Sequence, residues 1–209
     1  MSVKPRVSKH LTLLTASAVC SLIVLDTNIV AVTLPSIARD LGANFADIEW
    51  VVSAYMLAFA ALLLPAGSLA DRFGRQKTLI WGLGIFILAS LGCGAAPNAL
   101  FLDIARAIKG VGAALLLTSA LASIGHTFHD EVERAKAWAF WGGCMGVAMT
   151  AAPTLGGLIT EYVGWRWIFY LNLPVGLFLM YMVWRAVPQS RDAQAARLVV
   201  AERARPEQR

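Results

Sequence analysis

Six runs of about twenty apolar residues, separated by short charged clusters, leave this chain one class of fold. The runs read as Leu11–Leu34, Ile48–Leu69, Thr78–Ala96, Leu100–Ile124, Ala137–Leu158 and Trp167–Val187. About 20 consecutive apolar residues wound as a helix cross the hydrocarbon core of a bilayer. Lipid offers no hydrogen bonds, so each span must satisfy its own backbone, as a helix does. The expected fold is an all-α membrane protein with a six-transmembrane-helix bundle over residues 11–187. Composition agrees: 58% of residues are hydrophobic and 15% charged, where soluble domains hold about 45–50% and about 25%. The first run exceeds the apolar stretch of about 7–15 residues in a cleaved signal peptide, so it is read as a retained helix. Residues 1–10 form a cytoplasmic lead-in, and residues 188–209, polar and rich in arginine, read as a disordered cytoplasmic tail.

The net charge of +5 raises the question of a nucleic-acid partner, and its placement answers it. Fourteen of the 18 basic residues lie in the segments before helix one, between helices two and three, between four and five, and after six. The alternate loops hold only Arg39 and Arg166, and the remaining two, Arg106 and Lys109, lie within the fourth run. Basic loops stay on the cytoplasmic side. The pattern therefore predicts an even number of spans with both termini inside, a cell-membrane location and no nucleic-acid partner. Cys20, Cys93 and Cys144 lie in separate runs and read as small packing residues. His126 and His129 share a loop with Asp130, Glu131 and Glu133, which reads as a solvated turn rather than a metal site. No nucleophile–base pairing or phosphate-binding loop supports an enzyme, a cofactor or a bound metal.

Polar residues inside apolar runs carry the information. Asp26 lies roughly 22 Å from Leu11 at about 1.5 Å per residue, past the midpoint of its run. A carboxylate at the bilayer centre costs about 2.5–3.5 kcal/mol on insertion scales and marks cavities or proton relays. Lone in its run, Asp26 is the candidate proton carrier. Arg106 and Lys109, three apart, share a helix face. Arg106 is deep enough to face the bundle, Lys109 is close enough to the outer interface to snorkel, and Asp103 is a candidate partner for Arg106. The segment Gly67–Lys77 turns the chain sharply at Gly74, and its Asp71 can dock on a helix N-terminus. In the fifth run, Gly142, Gly143, Gly146, Ala148, Ala151, Ala152, Pro153, Gly156 and Gly157 read as a close helix interface with a kink.

Together these segments resemble the major facilitator superfamily, and within it the fourteen-helix drug:proton antiporters. Gly67, Leu69, Asp71, Arg72, Gly74 and Arg75 match the superfamily's gating-loop signature, G-x-L-a-D-R-x-G-R. Leu25-Asp26, Ile29-Val30, Val32 and Leu34-Pro35 are similar to the subfamily's first-helix pattern, with Asn28 and Ala31 departing from it. Arg106, Gly110, Gly112, Ala113 and Ala114 fit R-x-x-Q-G-x-G-A-A, with Lys109 where glutamine is usual. Pro153, Gly156 and Gly157 fit the helix-five antiporter motif G-x-x-x-G-P-x-x-G-G, with Ala148 and Ala152 at its leading glycines. Trp165–Phe169 and Asn172-Leu173-Pro174 resemble the start of helix six.

The resemblance covers about Leu11 to Arg197 and implies the N-terminal half of a transporter, whether truncated or naturally short. It implies proton coupling through Asp26 and Arg106, and proton-driven export of small lipophilic compounds. The expected partners are a small-molecule substrate, protons, the lipid bilayer, and a second six-helix half or another copy of the chain. Asp26 and Arg106 are expected to line a cavity that such a partner closes. Two other readings stay open: a metabolite carrier of the same superfamily, and a six-helix remnant that transports nothing.

Overall fold

The computed structural model describes residues 8–187. The tail expected over 188–209 and most of the lead-in lie outside them. Six helices follow one another: α1 (Lys9–Leu41), α2 (Phe45–Phe73), α3 (Arg75–Gly94), α4 (Ala99–Thr127), α5 (Glu131–Tyr162) and α6 (Arg166–Ala186). No strand occurs among the described residues, so the expected all-α bundle is what the chain forms.

All but two of the helices overrun their apolar stretches at both ends. Hydropathy marks where a helix meets hydrocarbon, whereas polar caps mark where it stops. Asn44 and Asp47 form a reciprocal capping box that starts α2. The Asn98 side chain accepts from Phe101 N–H at the start of α4, and Asp130 accepts from Val132 and Glu133 at the start of α5. Between α2 and α3 the link is one residue. Gly74, at φ +98°, turns the chain by itself, as its place in the sequence predicts.

Contacts at the two ends show the alternation of spans. Thr12 Oγ1 at the start of α1 donates to the Ala186 carbonyl at the end of α6, 2.7 Å away. Gln76 Nε2 near the start of α3 reaches the carbonyls of Val183 and Trp184. At the opposite end, Asp40 of α1 accepts from Trp165 and pairs with Arg166 at the start of α6. Arg166, one of the two basic residues on the sparse side, thus ties three connections, since it also reaches the Ala96 carbonyl.

The packing has an internal repeat that the sequence did not announce. α4 packs on α2 and α3 as α1 packs on α5 and α6, and the α1–α4 and α3–α6 contacts join the two sets. Exchanging α1–α3 with α4–α6 maps these contacts onto themselves. Helices three apart run in opposite directions, so the repeat is inverted, an arrangement that recurs in transporter folds. Large apolar side chains cover the outside, among them Leu57, Leu64, Leu88, Val147, Leu177 and Trp184. Such a surface marks contact with lipid or with another protein, and all six helices are long and apolar enough to span a membrane.

Candidate functional site

Two large apolar core clusters fill the bundle beside a smaller one around Ala66 and Ala114, and a polar layer lies between the two large ones. One gathers residues 13–23 of α1 with Leu83, Phe86, Leu116 and Leu179; the other gathers Ile29, Val30, Val51, Leu102 and Phe169. Between them sit Asp26 of α1, Arg106 and Lys109 of α4, and Asn172 of α6. Asp26 lies near the middle of α1, which runs from Lys9 to Leu41.

Asp26 is neither lone nor open to a cavity. It is 1% exposed, and both oxygens are engaged. Oδ1 accepts from Lys109 Nζ at 2.5 Å and from Asn172 Nδ2 at 2.9 Å, and Oδ2 accepts from Arg106 Nη1 at 3.0 Å. Arg106 also donates from Nε to the Val51 carbonyl of α2 at 3.0 Å, and its guanidinium lies 4.2 Å from the Tyr55 ring centre. Lys109, expected to snorkel, is fully buried instead, its Nζ facing the rings of Phe86 at 4.6 Å and Phe169 at 4.9 Å. Arg106 bonds Asp26 rather than Asp103, whose Oδ1 finds no partner among the described residues.

Local sequence explains this placement. Gly110 lets α4 approach α2: a Cβ there would lie 2.4 Å from the Tyr55 carbonyl oxygen. Gly112 does the same toward α3, where a Cβ would meet the Phe86 backbone nitrogen at 2.9 Å. These two contacts bring Val51, Tyr55 and Phe86 against the cations. The energetic logic is compensation. Each charge left alone near the bilayer centre costs about 2.5–3.5 kcal/mol, and the cluster offsets this with four charge-assisted bonds and aromatic faces.

The other predicted residues lie apart from this layer. Gly67, Asp71 and Arg72 occupy the end of α2, and Arg75 opens α3 beyond Gly74. Asp71 Oδ1 stands 3.9 Å from the guanidinium of Arg75, the first residue of α3, which is its ion-pair partner among the described residues. Arg72 stacks on Phe73. In α5, Pro153 sits within a continuous helix. Ala148, Ala152 and Gly156 are buried against α1, where a Cβ on Gly156 would meet Ile29 at 3.1 Å. Gly142, Gly143, Gly146 and Gly157, read as parts of the same interface, face open space. His126 and His129 pack edge to face.

Asn172, Tyr55, Phe86 and Phe169 were not singled out as site residues from sequence. Asn172 carried a signal, a lone amide in an apolar run. The aromatic residues carried none, since rings at such positions are ordinary core.

Residues 16–205 match the family model described as the Major Facilitator Superfamily. The chain is 44% identical over 178 residues to the puromycin resistance protein pur8 of Streptomyces alboniger, covering 85% of this chain and 35% of that protein. It is 36% identical over 187 residues to the multidrug resistance protein Stp of Mycobacterium tuberculosis, covering 90% and 35%. With the tetracenomycin C resistance and export protein of Streptomyces glaucescens it shares 36% over 166 residues, 79% of this chain and 31% of that one. The chain thus spans about a third of the length of these relatives. Among solved structures, a peptide transporter superposes with a TM-score of 0.73 at 15% identity, over 92% of this chain and 43% of that one. That likeness is one of fold.

Proposed function

Since this chain belongs to the Major Facilitator Superfamily, we propose that it works as part of a proton-coupled exporter of small lipophilic compounds. The observation that carries this reading is the buried cluster of Asp26, Arg106, Lys109 and Asn172. An ionised network at mid-membrane has little structural use and is the kind of group through which transporters handle protons. The relatives bear on the cargo, since they are named for drug and antibiotic resistance and for export.

In this reading Asp26 and Arg106 couple the proton, and the loop of Gly67, Asp71, Arg72, Gly74 and Arg75 gates. Pro153, Gly156 and Gly157 serve the antiport interface of α5. The open small-residue face of α5 receives a second six-helix half, or another copy. Both termini face the cytoplasm and the chain resides in the cell's inner membrane, as the basic loops suggest. A cysteine at position 71 should then react with an impermeant thiol reagent only from the cytoplasmic side, and labelling from outside would overturn the orientation.

Transport is tested in vesicles under an imposed pH gradient. The chain combined with the remaining two thirds of the puromycin resistance protein should expel a fluorescent lipophilic cation, and the chain alone should expel little. Asp26→Asn should abolish the flux with membrane insertion intact, an amide being less costly to bury than a charge. Accumulation instead of expulsion would convert the reading to uptake. Undiminished proton-driven export by Asp26→Asn would remove Asp26 from the mechanism.

A further inference from the structure

The buried layer holds two cations against one carboxylate, all at most 1% exposed. When every group is ionised, one positive charge is left over in the middle of the bundle. The surplus bears on which group can change protonation, and it favours the group that the sequence pattern passes over. We infer that Lys109 loads and releases the coupled proton, while Asp26 and Arg106 stay ionised as its fixed surroundings. This rests on the proposed proton coupling and moves its carrier from Asp26 to Lys109, with Asp26 and Arg106 holding Lys109 in place.

Hydrogen-bond capacity is the first reason. Every neighbour of the Asp26 carboxylate is a donor: Lys109 and Asn172 to Oδ1, Arg106 to Oδ2. A carboxylic acid needs an acceptor for its O–H, so a proton added to either oxygen would break a bond already made. An amine at Lys109, by contrast, keeps N–H groups to donate to Asp26. Charge is the second reason. Protonating Asp26 raises the surplus from one positive charge to two, whereas deprotonating Lys109 brings it to zero, leaving a closed Asp26–Arg106 pair.

The surroundings of Lys109 agree with a group that takes both forms. Asp26 faces it from α1, Arg106 from its own helix, and Cys93 from α3. Asn172 of α6 shares the oxygen that Lys109 binds, and α2 contributes Tyr55, which lies against Arg106. The rings of Phe86 and Phe169 attract the ammonium through their faces and remain ordinary apolar contacts for the amine. The proton balance is simple: in one state of the bundle an N–H bond of Nζ breaks and its proton passes to water, in the other Nζ takes a proton back from water, and no bond between heavy atoms changes.

The test uses the full chain in lipid vesicles with Lys4, Lys9, Lys77 and Lys136 replaced by arginine, so that Lys109 is the single lysine. Labelled with nitrogen-15 lysine, its Nζ resonance should pass from ammonium to amine as the medium goes from mildly acidic to mildly basic. Over the same range, infrared difference spectra should show no carboxylic-acid carbonyl stretch from Asp26. An Nζ that stays ammonium, with such a stretch growing on acidification and shifting in Asp26→Glu, overturns the inference. A cluster in which neither group titrates overturns it as well. Titration of Lys109, with no proton-driven flux from the chain combined with the remaining two thirds of the puromycin resistance protein, would sink the transport reading and leave Lys109 as the titrating group of the cluster. Where the arginine replacements disturb folding, selective comparison of Lys109→Arg with the parent chain identifies the same resonance.

Discussion

Helices α4 and α5 have similar length and similar small-residue content, yet they spend those residues in opposite ways. In α4, Gly110 and Gly112 lie against the backbones of α2 and α3, and well over half of its apolar window is buried. In α5, Gly142, Gly143 and Gly146 face open space, and 17% of the corresponding window is buried. The stripe Ala148, Ala152 and Gly156 is used inside the bundle, against α1, and Ala137 nearer the start of the helix is buried in the core as well. Small residues at spacings of three and four therefore have two meanings. In α4 they set the position of charged groups, and in α5 most of them are available to something outside the six helices.

The sharpest way to break this comparison is Gly110→Ala. The new methyl would sit 2.4 Å from a backbone oxygen of α2, which cannot swing aside as a side chain can. Overpacking of a tight core costs about 1–3 kcal/mol and sometimes more. The Arg106–Val51 bond, made across the same contact, should loosen with it. A large drop in thermal unfolding temperature in detergent is expected, and an unchanged one would mean that α4 and α2 are not held as tightly as described. The opposite pole is Gly146→Ala, which meets nothing within 4 Å. Here the six-helix unit should keep its stability or gain up to about 1 kcal/mol from helix propensity. Flux through the assembled transporter should nonetheless fall if the α5 face is an interface. A loss of stability in the isolated chain would show that α5 packs internally after all.

The sequence carried the number and type of the helices because apolar runs of spanning length have one use in a bilayer. It did not carry their ends, which follow from caps such as Asn98 and Asp130 outside those runs. For the site the division is different. Asp26, Arg106 and Lys109 each stood out singly as charges in apolar surroundings, but their meeting did not. Asp26 and Arg106 are 80 residues apart, and which faces of α1 and α4 turn toward each other depends on Gly110, Gly112 and the packing of all four neighbouring helices. Hence Lys109, close enough to the outer interface to snorkel, lies buried against Asp26, and Asp71 has Arg75 as its ion-pair partner among the described residues. Hydropathy is a property of one segment, whereas compensation of a charge is a property of two.

The distance between Asp26 and its cations has a consequence during synthesis. A ribosome that adds about 5–20 residues per second produces Arg106 roughly 4–16 seconds after Asp26, and Lys109 just after it. For that interval α1 is complete except for the charges that make its centre tolerable in hydrocarbon. The carboxylate at its centre gains its two cations only once the fourth helix has been made, so α1 reaches its final surroundings later than its own synthesis.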